Sequence, residues 1–129
     1  AVADFRPVQV NERKMKRAET GDAPVVQLME NPDVAAGTAA SRKPGSVAVG
    51  FALETNDLLA NAQKKLKSKG FDLLVANDAT EAGSGFEVPT NRVTILSNGG
   101  DPEELPLMSK EAVAEALMER VLNRMDGDL

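Results

Sequence analysis

Two apolar runs, Val47-Ala48-Val49-Gly50-Phe51-Ala52 and Leu73-Leu74-Val75-Ala76, constrain what this chain can fold into more than any other feature. A strand that is apolar at every position has to be covered on both faces, as parallel strands of α/β proteins are. The second run belongs to a predicted strand, Phe71 to Asp78, that ends in polar residues, the pattern of a strand end lining a site. Between the two runs lies a helix that Thr55 or Asn56 would cap and Gly70 would stop. Val93 to Leu96 reads as a further strand. Ser109 then caps a last amphipathic helix with an inner stripe of Val113, Leu117, Val121 and Met125. Strands alternating with helices predict a Rossmann-like, three-layer α/β fold with a mainly parallel sheet. A length of 129 residues suits one domain.

The rest of the chain is less regular. Ala1 to Asp4 reads as the end of a buried strand, residues 5–24 as a polar loop, and Val25 to Met29 as a short β-like run. In Asn31-Pro32-Asp33, Asn31 suits a helix N-cap and Pro32 the first helical position, while Asp33 suits the positive end of the helix dipole. An Ala-rich helix over 32–41 is expected, with N–H groups that an anion could use. Lys43-Pro44-Gly45 and residues 98–102 read as turns, and 79–91 as a loop. Gly83-Ser84-Gly85 is too short for a phosphate cradle.

Composition removes several chemistries. With no cysteine and no histidine, thiolate chemistry, Ser-His-Asp catalysis and His-ligated zinc are excluded. Four Phe, with no Tyr or Trp, argue against a stacking platform for single-stranded nucleic acid. No stretch reaches the roughly 18 apolar residues of a membrane span, and a soluble, cytoplasmic chain is expected. What remains is Lys, Arg, Asp, Glu, Asn and backbone amides, tools suited to electrostatic work on phosphates with a hard cation such as Mg²⁺.

The candidate anion-seeking groups stand out against a net charge of -5. Arg13-Lys14-Met15-Lys16-Arg17 places four cations in five positions. A cluster of this kind is either a solvated loop or the seat of an anion. On the first internal helix, Leu58, Ala62 and Leu66 mark the apolar face. Lys65 and Lys69 fall within roughly 20° of Leu58 on the helical wheel. Two such lysines need either room to snorkel or an anion.

Taken together, Ala1-Val2-Ala3-Asp4-Phe5-Arg6, Lys14-Met15-Lys16-Arg17, Asn31-Pro32-Asp33, Val49 to Thr55, Ala62 to Lys69, Asp72 to Asp78 and Phe86 to Asn91 form an ordered set. The set resembles the C-terminal half of bacterial phosphopantothenate–cysteine ligase, often fused behind a flavin-dependent phosphopantothenoylcysteine decarboxylase. The resemblance implies an enzyme of coenzyme A biosynthesis that joins 4′-phosphopantothenate to L-cysteine through an acyl-cytidylate made from CTP. It implies Mg²⁺ with CTP, FMN in any parent that carries the decarboxylase, and a homodimer. Carried over by match, Asp4 contacts the cytidine and Lys14 is the catalytic lysine of a mobile flap supported by Lys16 and Arg17. Pro32, Asp33, Val34 and Ala35 supply a helix-terminus part of the nucleotide site. Phe51 packs near the cytidine, and Lys65 and Lys69 reach the phosphates. No metal ligand is assigned.

The sequence departs from the family's Lys-x-Lys-Lys flap at Arg17. It opens on Ala1 without a Met, and a glycine-rich N-terminal half is expected to be missing, so residues 1–129 read as the C-terminal part of the domain, inactive alone. The competing expectation is a noncatalytic Rossmann-like nucleotide-binding or dimerisation module.

Overall fold

The structure is a computed structural model, and it describes residues 2–17, 21, 23–82 and 88–127. Expectations for Ala1, Gly83-Ser84-Gly85 and Phe86 lie outside the described residues. The chain divides into two compact units, Ala1–Gly37 and Thr38–Leu129.

In the first unit, β1 (Phe5–Pro7) and β2 (Leu28–Glu30) form an antiparallel ribbon with Arg6 opposite Met29. Every residue of both strands is exposed. The buried strand expected over Ala1 to Asp4 is therefore displaced: the strand begins at Phe5, and Asp4 is exposed before it. The ribbon is tied at its open end, where the Asn31 amide donates to the Asp4 carbonyl at 2.7 Å. The Asn31 side chain donates to the Ala3 carbonyl at 2.7 Å and accepts from Arg6 Nη1 at 2.8 Å. Asn31 is thus occupied, and the cap of helix α1 (Val34–Thr38) falls to Asp33, whose Oδ1 accepts from the Ala36 amide at 3.1 Å. The expected helix over 32–41 resolves into this five-residue helix and a 3-10 turn over Ala39–Ser41.

The second unit is built on β3 (Val49–Glu54), α2 (Leu58–Ser68), β4 (Leu73–Asp78) and β6 (Thr94–Ser97). With β7 (Glu103–Glu104) the sheet order is β3-β4-β6-β7. β3 runs parallel to β4, whereas β6 and β7 are antiparallel to their neighbours. The α/β class is as expected and the sheet is mixed. Parallel pairing demands a crossover, which α2 supplies between β3 and β4. The segment between β4 and β6 contains no helix among its described residues, and β6 pairs antiparallel to β4.

Burial follows the apolar runs. Leu73 and Val75 pack with Val93, Ile95 and Leu105 against Val113 and Leu117 of the last helix, α3 (Lys110–Asp126). Leu74 and Ala76, the alternate residues of β4, pack with Ala52 and Leu96 against Ala62 and Leu66 of α2. Three layers result, with β4 sealed on both faces. Gly50 is required where it stands: a Cβ there would meet the Phe71 ring at 2.4 Å and Leu74 Cδ1 at 2.8 Å.

The helix termini are specified locally. α2 ends as predicted at Gly70, which takes a φ of +64°. The Gly70 amide donates to the Lys67 carbonyl at 3.2 Å and that of Phe71 to the Leu66 carbonyl at 3.0 Å, which is the Schellman arrangement. Its start differs from expectation. Neither Thr55 nor Asn56 is the cap; Asp57, in the left-handed region at φ 46°, leads into the helix with no side-chain cap. Ser109 caps α3 as predicted, its Oγ accepting from the Ala112 amide at 3.1 Å. Val113 and Leu117 of the predicted stripe are buried and Val121 is half-buried, while Met125 is exposed. Two more short strands, β5 (Thr90–Asn91) and β8 (Met108–Ser109), pair antiparallel just ahead of α3.

Candidate functional site

The predicted site residues divide between the two units. Asp4, Lys14, Lys16, Arg17, Pro32, Asp33, Val34 and Ala35 belong to the first, and Phe51, Lys65 and Lys69 to the second.

Within the first unit, Lys14, Lys16 and Arg17 are exposed in the long connection between β1 and β2. Met15, set among them, lines an open hollow of about 490 Å³ together with Val8, Val10, Pro24, Val25 and Val26. Among the described residues, no charged side chain lines that hollow. At α1, the Asp33 carboxylate already receives the Ala36 amide, so an anion approaching this terminus meets a negative charge as well as N–H groups.

Within the second unit, Lys65 lies on the helix flank that the wheel assigned to it. Its ammonium is 2.7 Å from Glu54 Oε1 at the carboxyl end of β3. The alternatives for Lys65 were snorkelling or an anion, and here the chain supplies the anion itself. The Glu54 side chain is 11% exposed and that of Lys65 46%. The buried Oε1 receives no directed hydrogen bond, so the pair is held by charge.

Lys69 is the C-cap residue of α2 and is half-buried. Its backbone is fixed by a residue the sequence reading did not single out. Arg42 donates from Nη1 to the Gly70 carbonyl at 2.6 Å and from Nη2 to the Lys69 carbonyl at 3.2 Å. A guanidinium there satisfies helix-end carbonyls and complements the negative end of the dipole.

Phe51 is 71% exposed. Gly50 and Ala52 turn toward the α2 layer and Glu54 meets Lys65 on that helix, so Phe51 and Leu53 belong to the opposite face of β3. Phe51 and Lys65 thus flank one edge strand from opposite faces. At the end of the neighbouring strand, Asp78 is the register partner of Glu54. The Thr80 hydroxyl at 2.6 Å, and then its amide at 2.7 Å, hold the Asp78 carboxyl below its ordinary range. Beyond it, Arg92 Nε meets Glu81 Oε1 at 2.6 Å and ties together the two ends of the polar loop.

Among the described residues, no group of three acidic side chains could hold a metal ion, and no helix is long and apolar enough to cross a membrane. The cavity between Leu73, Ile95, Ser97 and Arg124 measures about 180 Å³. That is smaller than the roughly 300 Å³ at which ligand pockets begin. It does not fit a flavin. The arrangement can bind and orient anions by charge, and it contains no imidazole or thiol to move a proton.

Comparison with known proteins gives a consistent result. Residues 1–125 match the DNA/pantothenate metabolism flavoprotein C-terminal domain. The coenzyme A biosynthesis bifunctional protein CoaBC of Vibrio cholerae is 39% identical over 125 residues, covering 97% of this chain and 31% of the relative. That of Bacillus subtilis is 38% identical over 130 residues, covering 99% and 31%. A cysteine/cysteine sulfinic acid decarboxylase from an unknown prokaryotic organism is 38% identical over 122 residues, covering 95% and 33%. The chain therefore spans about a third of the length of these relatives. The crystal structure of the C-terminal domain of a coenzyme A biosynthesis bifunctional protein CoaBC superposes with a TM-score of 0.70 at 28% identity, over 99% of this chain and 52% of that one. A DNA/pantothenate metabolism flavoprotein from Streptococcus pneumoniae, at 22% identity, shares the fold with a TM-score of 0.68, over 96% and 57%.

These matches correct the expectation drawn from the sequence. Identification with a phosphopantothenate–cysteine ligase, and the ligase activity with it, gives way to the C-terminal domain of a flavoprotein family. The names of these relatives are those of a bifunctional coenzyme A biosynthesis protein and a decarboxylase, and no ligase is among them.

Proposed function

Since the chain belongs to the DNA/pantothenate metabolism flavoprotein C-terminal domain family, we propose that it serves coenzyme A biosynthesis as one domain of a longer, cytoplasmic flavoprotein. Within that protein it acts as an anion-binding module that takes the phosphates of a nucleotide at the carboxyl end of β3. CTP is the nucleotide to test first. A flavin of the parent, FMN in this reading, is held elsewhere in that longer protein, since relatives of this chain are about three times its length.

The observation that carries the reading is the ammonium of Lys65, stationed at the end of β3 on the flank of α2. Ligands of open α/β sheets gather outside the carboxyl ends of strands. The half-buried Lys69 lies one helical turn further along, its backbone fixed by Arg42. The exposed cations of the β1–β2 connection offer a second source of positive charge for phosphate-bearing ligands, 4′-phosphopantothenate among them.

Calorimetric titration of the intact protein with CTP, ATP and NAD tests the reading. CTP is expected to bind more tightly than the other two, and Lys65→Ala is expected to weaken it about tenfold, the effect of losing one charge-assisted contact. Equal affinity for all three ligands in both proteins would overturn it.

A homodimer is also proposed. Val8, Val10, Val25, Val26 and Leu28 are exposed together in the first unit, an apolar concentration of a kind that marks interaction surfaces. Sedimentation velocity on the intact protein reads its state, and a monomer at micromolar concentration would contradict the proposal.

A further inference from the structure

Glu54 places a negative charge beside the lysine that the proposed function assigns to phosphate binding. It ends β3, its side chain is 11% exposed, and Lys65 is 2.7 Å from its Oε1. That oxygen is buried and receives no directed hydrogen bond, and its positive partner among the described residues is Lys65. The pair is close to electrically neutral as a whole. A phosphate approaching Lys65 therefore feels an ammonium whose field is largely cancelled by the carboxylate behind it. Drawing Lys65 fully outward would leave a buried carboxylate without a counter-charge, which is strongly unfavourable.

The geometry points to Glu54 as a positioning residue that holds Lys65 in reserve and lowers the affinity of the site for phosphate-bearing ligands. This rests on the nucleotide-binding reading of the same site. Glu54 fixes the ammonium at the strand end and limits how much of its charge the ligand can use. The device favours release: a ligand held by a shared cation leaves more readily than one held by a free cation. Removing the charge of Glu54 while keeping its shape should therefore tighten binding, the opposite of what damage to the fold does.

The test is a double-mutant cycle on the intact protein with CTP as the probe, read by calorimetry at several salt concentrations. Glu54→Gln is expected to tighten CTP about fivefold, the effect of one unit charge across a few ångströms of water-like dielectric. Its affinity should also fall more steeply with salt, because the site gains one unit of positive charge. Glu54→Met, neutral and of similar length, repeats the measurement with a side chain that needs no hydrogen bond at a buried position. In the Lys65→Ala background, adding Glu54→Gln should tighten CTP far less than it does alone, since Glu54 acts through Lys65. Unchanged or weaker binding in folded Glu54→Gln and Glu54→Met, with Lys65→Ala still weakening CTP, would overturn this inference and leave the nucleotide reading standing. No effect of Lys65→Ala on CTP would instead overturn the nucleotide reading itself.

Discussion

Arg42 closes the end of α2 by donating to the carbonyl of Gly70 at 2.6 Å, with a second bond to the carbonyl of Lys69 at 3.2 Å. The two residues are 28 positions apart, so this contact makes the helix terminus a tertiary feature as well as a local one. Removing the guanidinium leaves both carbonyls to water. Arg42→Ala is expected to lower stability by about 1 kcal/mol, less than the roughly 1.5–3 kcal/mol of a buried charged hydrogen bond because the site is partly exposed. Arg42→Lys should recover only part of the loss, since an ammonium does not reproduce the planar fork. Urea denaturation of the three proteins measures it, and full rescue by Lys would count against the bidentate account.

Gly50 gives the sharper steric prediction. A methyl group at this position would stand 2.4 Å from the Phe71 ring and 2.8 Å from Leu74 Cδ1. Leu74 is fully buried and has nowhere to move, whereas Phe71 is half-buried. Gly50→Ala should destabilise the second unit by about 1–3 kcal/mol, as overpacking does. A melting temperature equal to that of the unmodified protein would contradict the close approach.

Glu103 and Arg120 form a bidentate ion pair between β7 and α3. The hydrogen bonds from Arg120 hold the Glu103 carboxyl below its ordinary 4.5. A carboxyl depressed by folding contributes stability above its unfolded value and loses it as pH falls through the folded one. Glu103→Gln should therefore cost a few tenths to about 1 kcal/mol at neutral pH, the range for exposed pairs. The gap between variant and parent should narrow below pH 4.5. Denaturation midpoints from pH 7 to 3 test this, and a gap that widens toward acid would refute the sign.

Lys14 lies in the exposed connection of the first unit and is expected to offer charge to phosphate-bearing ligands without adding stability. Lys14→Ala should weaken binding of 4′-phosphopantothenate about threefold to tenfold, and more at low salt than at high. Its unfolding midpoint should be unchanged within about 0.5 kcal/mol, as for surface substitutions generally. Isothermal titration alongside urea denaturation separates the two. A loss of stability with unchanged affinity would reverse the assignment.

The layers and the last helix were legible in the sequence because they rest on local patterns. An apolar run such as Leu73 to Ala76 has to be covered on both sides, and Ser109 needs only its own helix to act as a cap. Sheet direction beyond β4 was misjudged because apolar content alone does not set it. The connection decides, and the one from β4 to β6 contains no helix among its described residues. Asn31 read as a cap and proved to be engaged by Ala3 and Arg6, 28 and 25 positions away. The same limit hid the partner of Lys65. The helical wheel located the lysine, but Glu54 belongs to a different element, and its distance from the ammonium is fixed by how α2 packs on β3. Two-residue strands such as β5 and β8 are too short to show any periodicity.

Ser109 has two duties in consecutive turns of the chain. It faces Thr90 across the β5–β8 ladder and accepts the amide of Ala112 at the start of α3, while the Lys110 amide reaches back to Pro89 at 3.0 Å. The anchoring of the loop's far end and the first winding of the helix are thus one mechanical joint. In hydrogen exchange, the amides of Lys110 and Ala112 should open together, so that loosening at either side of the joint is felt at once by the other.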